Sequence, residues 1–195
     1  MHQRYIQCML PRTYLDNQML IAMPAMDDPN FSRSVIYMCQ HDADGAMGIG
    51  VSRSANFRLI EVLEQMKIST ALPEVAAQPV FLGGPVQNDR GFVLHEPCGV
   101  FLSSMQLRGG LCLTTSRDLL EAIAEGEGPR HYLVALGFSG WGEGQLEAEI
   151  LQNSWLNAPV SHELMFSTPI EQRWQKAAAL MGVNWHAVAD YVGHA

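Results

Sequence analysis

Basic residues are scarce in this 195-residue chain: 12 Lys and Arg stand against 20 Asp and Glu, a formal charge of −8. The deficit is uneven, with six basic against seven acidic residues over 1–70 and six against thirteen over 71–195. No basic stripe of the kind that neutralises a run of phosphates is present, which argues against direct nucleic-acid binding. Cysteine is sparse too. Cys8, Cys39, Cys98 and Cys112 form no C-x-x-C pair and have no histidine at metal-ligand spacing, so neither a disulfide framework nor a metal site is expected. Cys39 in VIYMCQ and Cys112 in GLCLTT lie in apolar runs, the setting of buried free thiols in a reducing compartment. No apolar run reaches the length of a membrane span. The N-terminal MHQRYIQCMLPRTYLDN lacks the basic start and sustained apolar stretch of a secretory signal. Cytoplasmic placement without membrane association is the expectation. Internal repeats, low-complexity tracts and linkers are missing as well, which leaves one domain large enough to bury a core unaided.

What is present is a succession of short apolar runs bounded by turn formers, read as strands over 18–24, 34–40, 46–52, 80–84, 91–95, 99–104, 110–115 and 131–138, with 162–166 as a further candidate. The link HDADG (41–45) ends in Asp-Gly, a hairpin signal. VIYMC and YLVAL are apolar at every position, as central strands covered on both faces would be. Helices are expected over Phe57–Lys67 with Asn56 as N-cap, and over RDLLEAIAE with Thr115 or Ser116 as cap and Gly126 as stop. In TPIEQRWQKAAALMG, Thr168 caps, Pro169 opens the helix, Glu171 completes a capping box and Gly182 ends it. Ile170, Trp174, Ala177 and Met181 form its expected buried stripe. A short last helix follows from Asn184 to about Tyr191. Strands cluster early and pair locally, so the expected class is α+β: a single compact domain with a mixed, mostly antiparallel sheet or partial barrel and flanking helices. Residues 1–17 read as an N-terminal extension and 18–195 as the domain.

The stretch GFSGWGEGQLEAEI (137–150) raises the sharpest chemical question. A strand, a sharp turn, a serine and a helix are the setting of a nucleophile elbow, but G-x-S-x-G is broken because Trp141 stands where the last glycine belongs. A phosphate cradle would want a cation, yet none lies between Arg130 and Arg173, and Glu143 and Glu147 place negative charge there instead. The structural reading is preferred: glycines for a tight turn, Trp141 as a packing lid, and a helix from Gln145 to about Asn153. In LGGPVQNDRGFVLH (82–95), Gly83-Gly84-Pro85 bends the chain, and Arg90 on a loop could grip a carboxylate or phosphate or simply pair with Asp89. Asp27, Asp28, Asp42 and Asp44 are explained by turns without any ion. His95 and Cys98 are close in sequence, but nothing marks the thiol as activated.

Several long blocks, in order, carry a family resemblance. LIAMPAMDDPNFSRSVIYMCQHDADGAMGI (20–49), FLGGPVQNDRGFVLH (81–95), TTSRDLLEAIA (114–124), LGFSGWGEGQLEAEILQNSWL (136–156) and the terminal GHA (193–195) closely resemble the AlgH/YqgE family. The resemblance covers the chain from about residue 18 onward. It implies a cytosolic bacterial protein of one α+β domain, in a family nominally called transcriptional regulators, with no catalytic residues attached. The matching positions carried over as a shared ligand or partner surface are Asp28, Phe31, His41, Gly83, Gly84, Pro85, Arg90, Trp141, Gly144, Gln145 and Glu147. After GIGV the family usually has an asparagine, a basic residue and often proline, where this chain has Ser52, Arg53 and Ser54. The first seventeen residues exceed what the family needs, with Met9 as an alternative start.

Three functional classes follow. The preferred one is a non-enzymatic regulatory or binding protein, without cofactor or metal, acting through a protein partner or a small ligand; a homodimer is compatible with it. Direct DNA binding, the family label, finds no helix-turn-helix pattern and only Arg173 and Lys176 on the candidate helix. A hydrolase or transferase would need Ser139 or Cys98 to meet His95 and a carboxylate in space.

Overall fold

A computed structural model describes residues 14–182, and all structural statements here concern those residues. The chain runs β1 (Gln18–Ala22), β2 (Val35–Asp42), β3 (Gly45–Gly50), β4 (Ser54–Arg58), α1 (Leu59–Gln65), α2 (Pro73–Ala76), β5 (Pro79–Leu82), β6 (Val86–His95), β7 (Ser104–Gln106), β8 (Cys112–Thr114) and α3 (Arg117–Glu125). It ends with β9 (Tyr132–Gly142), α4 (Gln145–Leu151), β10 (Trp155–Pro159), a π-helical turn (Glu163–Ser167) and α5 (Ile170–Leu180). One ten-stranded sheet orders them β10-β1-β2-β3-β9-β6-β8-β7, with β4 and β5 branching from β9. All pairings are antiparallel except β5 with β9. The sheet curls as a half-barrel flanked by helices, the α+β single domain expected.

Period-two burial builds the layers. Along β2, Val35, Tyr37 and Cys39 enter one core while Ile36 and Met38 enter another. β1 divides likewise, with Met19 and Ile21 on one side and Leu20 and Ala22 on the other. The first face, shared by β6, β8 and β9, is closed by Leu164 and Met165 of the π turn and Ala177 and Ala178 of α5. The opposite face carries two separate cores. Leu59 and Leu63 of α1 and Leu119, Leu120 and Ile123 of α3 cover one; Leu146 of α4 joins Trp141 and Trp155 in the other. Residues 14–17 belong to this packing: Leu15 is buried against the second of these, and Asn17 accepts from the Tyr37 hydroxyl at 3.1 Å.

Several expectations are corrected. The glycine stretch 137–142 is not a turn but the second half of β9, and the turn falls at 143–144. β9 changes neighbours there, pairing with β5 up to Leu136 and with β3 from Ser139. The glycines permit a backbone crossing: a Cβ on Gly83 would meet Gly137 O, and one on Gly84 would meet Phe138. Asp89 and Arg90 lie within β6 rather than on a loop before it, in a register irregularity between Val86 and Gly91. Residues 99–103 form no strand, because Val100 and Leu102 face solvent. HELMF is the π turn. Asn56 and Phe57 belong to β4, so α1 starts at Leu59 with Arg58 as N-cap. In α5 Pro169 is the N-cap rather than Thr168, without side-chain capping. Its buried residues are Arg173, Ala177 and Ala178, whereas Met181 is largely exposed. Gly126 does end α3 in the left-handed conformation. The helix expected from Asn184 lies outside the described residues.

Candidate functional site

The resemblance-derived positions fall into two groups on this fold. Phe31 and Trp141 gather against Trp155 beside α4, with ring centroids 5.5–6.3 Å apart. Both indole N–H groups donate to one oxygen of Glu149, from Trp141 at 2.9 Å and Trp155 at 2.8 Å. Gln145 completes the frame: its amide donates to the other Glu149 oxygen at 2.9 Å, and its carbonyl accepts the Gly142 N–H at 3.0 Å. Gly144, left-handed at φ 69°, turns the chain into α4. Asp28 accepts the Asn30 N–H at 2.8 Å, a turn of the kind expected, and shapes the loop that carries Phe31. His41 is buried; its Nδ1 accepts the Leu15 N–H at 3.0 Å, and Nε2 points to Glu147 at 3.4 Å without forming a hydrogen bond. Apart from His41 Nε2, the polar groups named here are held by their neighbours. This end is a packed aromatic plug.

The second group surrounds the β9 crossing. The Gly83 N–H donates to Leu136 O and Gly83 O accepts from the Gly50 N–H, both at 2.8 Å. Pro85 is exposed just beyond. The crossing opposes the β6 irregularity, where Gln87 is left-handed at φ 49°, and this excursion carries Asp89 and Arg90 to the edge of a cleft of about 500 Å³. Val93, Val134 and Leu120 floor the cleft, and Phe57, Met66 and Leu136 add half-buried apolar surface. The rim carries Arg90, Thr115, Arg117, Glu61 and Asp89.

The two arginines differ in what they already hold. Arg117 is engaged by Glu121 at 2.7 Å and by Met66 O at 2.6 Å. Arg90 donates to the Thr115 hydroxyl at 3.1 Å and to Gln87 at 3.4 Å, and stacks 5.6 Å over Phe92. Among the described residues no carboxylate oxygen lies within ion-pair distance of its guanidinium. A cation held by neutral partners beside an apolar trough can take up an anionic group without first losing a salt bridge.

Among the described residues, neither Ser139 nor Cys98 is hydrogen-bonded to a histidine. Ser139 is 1% exposed and donates to Gly83 O at 3.2 Å. His95 spends Nδ1 on Glu96 O at 2.7 Å and Nε2 on Thr114 Oγ1 at 2.8 Å, and burial holds its pKa below the ordinary imidazole value. Burial, with Cys112 nearby, pushes the Cys98 thiol up, opposite to an activated nucleophile.

Three features escaped the sequence. Glu149 lies inside the helix expected from Gln145 to about Asn153, and the one signal for its role is the pair of tryptophans, Trp141 and Trp155, that flank it in sequence. The cleft is assembled from α1, β6, β9 and α3, and no local pattern reports it. Glu96, His131 and His162 meet across 35 and 66 residues, with Glu96 accepting from His131 Nδ1 at 2.9 Å and from His162 Nε2 at 2.8 Å.

Comparison with known proteins gives a consistent picture. A family model described as AlgH-like matches residues 19–186. A UPF0301 protein of Xanthomonas campestris is 53% identical over 183 residues, covering 94% of this chain and 97% of that protein. One of Methylococcus capsulatus is 49% identical over 181 residues, covering 93% and 96%. The solution structure of the AlgH protein from Pseudomonas aeruginosa is similar at TM-score 0.76 and 44% identity, over 95% of this chain and 98% of that one. A crystal structure of a Corynebacterium diphtheriae protein shares the fold at TM-score 0.65 and 22% identity, over 86% and 87%.

Proposed function

The chain belongs to the AlgH-like family, and from that premise we propose that it is a non-enzymatic binding protein whose cleft between α1, α3 and β6 takes a small ligand with an apolar body and one anionic group. The observation that carries this reading is Arg90, a guanidinium with only neutral hydrogen-bond partners at the rim of an apolar trough. The volume suits a small molecule, since ligand pockets commonly span about 300–1,000 Å³. A regulatory role then runs through ligand-dependent contact with a protein partner. Direct DNA contact, the role attached to the family label, gains nothing from α5: Arg173 is buried under the sheet, which leaves Lys176 as the exposed cation of that helix. The overall charge of −8 also repels a polyanion at long range.

A thermal-shift comparison of decanoate with decanol tests the reading. Stabilisation by the carboxylate that exceeds that by the alcohol, and falls in Arg90→Ala, is the expected result. Equal stabilisation by both, or an unchanged response in Arg90→Ala, overturns it.

A further inference from the structure

We propose that Glu96, His131 and His162 form a binding site for a first-row divalent metal ion of the zinc type. The three residues come from three chain segments. Glu96 follows β6 directly, His131 precedes β9 directly, and the two strand ends are tied by the Glu96 N–H donating to His131 O at 3.1 Å. His162 heads the π-helical turn, whose Phe166 packs against both imidazoles at 5.6 and 4.7 Å. The imidazole rings lie 4.7 Å apart, nearly perpendicular. One donor atom from each residue falls within 4.8 Å of the others.

Zinc bonds of about 2.0–2.2 Å in a tetrahedral arrangement set donor atoms roughly 3.4 Å apart. The two Glu–His pairs, at 2.9 and 2.8 Å, open slightly around such an ion. All three side chains are between one third and one half exposed, which leaves room for these small rotations. Two imidazoles and a carboxylate select a borderline ion, because calcium and magnesium demand oxygen ligands throughout. Without metal, Glu96 holds one N–H from each ring. On binding, each ring gives the lone pair of that nitrogen to the ion, and a ring in its neutral form carries its proton on the other nitrogen. Three protein ligands leave a fourth position open to water or to a ligand atom.

The site lies past the C-terminal end of β6, away from Arg90, so this inference and the cleft reading fail separately. Calorimetric titration of the chelator-stripped full chain with Zn²⁺ tests it, with far-UV circular dichroism as a folding control. Expected are one saturable site and at least tenfold weaker binding in His131→Ala and in His162→Gln, the latter a half-exposed position that tolerates replacement. Co²⁺ in the same site is expected to show four-coordinate visible absorption that is lost in Glu96→Gln. Unchanged Zn²⁺ affinity in the combined His131→Ala and His162→Gln variant assigns binding to the thiols or other histidines and overturns the proposal. No saturable binding to the original chain reduces the cluster to surface ion pairs and overturns it equally.

Discussion

Alanine at Gly137 and alanine at Gly144 should separate two reasons for a glycine. Both residues sit at φ 69°, so both substitutions carry the same conformational penalty, about 1–2 kcal/mol for an L-residue in the left-handed region. Around Gly144 a new Cβ meets nothing within 4 Å. At Gly137 the three nearest atoms are all backbone: Gly84 O, Val86 O at 2.9 Å and Asn88 Cα at 3.0 Å. None of these is the flexible end of a side chain, so the β5–β6 link must move off β9. That motion breaks the Gly83 N–H bond to Leu136 O and strains the Gly50 N–H bond to Gly83 O. Two buried backbone hydrogen bonds weakened at about 1–3 kcal/mol each bring Gly137→Ala to roughly 3–8 kcal/mol, a span that reaches the exceptional range for a point substitution. Urea denaturation followed by far-UV circular dichroism reads both variants through the midpoint at constant slope. A Gly137→Ala cost within about 1 kcal/mol of Gly144→Ala would refute the crossing as the reason for the glycines.

Glu149→Ala strands two indole N–H groups on nearly buried rings and should destabilise by about 2–4 kcal/mol, while Glu149→Gln, which keeps an acceptor oxygen, should recover most of it in the same denaturation assay. Arg173 is 4% exposed and donates to Val51 O at 2.6 Å and Thr168 O at 2.9 Å while stacking 5.0 Å over Phe81. Burial lowers its pKa to about 10, so it stays charged at neutral pH. Arg173→Met relieves that desolvation but leaves both carbonyls unpaired, and a net loss of about 2–3 kcal/mol is expected by thermal and urea unfolding.

Much of the fold was legible because its signals are local. VIYMC and YLVAL are apolar at every position and become the central β2 and β9; Asp-Gly at 44–45 closes the β2–β3 hairpin; Gly126 stops α3. The misreadings have one physical source. Glycine at 137–142 suggests a turn by local conformational freedom, whereas its role is a close approach between strands more than fifty residues apart in sequence. VFLSS reads as a strand by composition, yet Val100 and Leu102 find no neighbour and stay in solvent. In the site, Arg90 stood out as a cation among glycines. The trough beside it, the shared acceptor Glu149 and the Glu96–His131–His162 cluster depend on which segments the sheet brings together.

An NMR titration of the isotope-labelled chain with decanoate tests the binding-cleft account most directly. Saturable shifts confined to residues around Met66, Arg90, Thr115, Leu120 and Leu136 are predicted, with affinity falling about tenfold to a hundredfold in Arg90→Ala as one charge-assisted contact is lost. Shifts centred on Trp141 and Trp155 instead, or an affinity indifferent to Arg90, would contradict it.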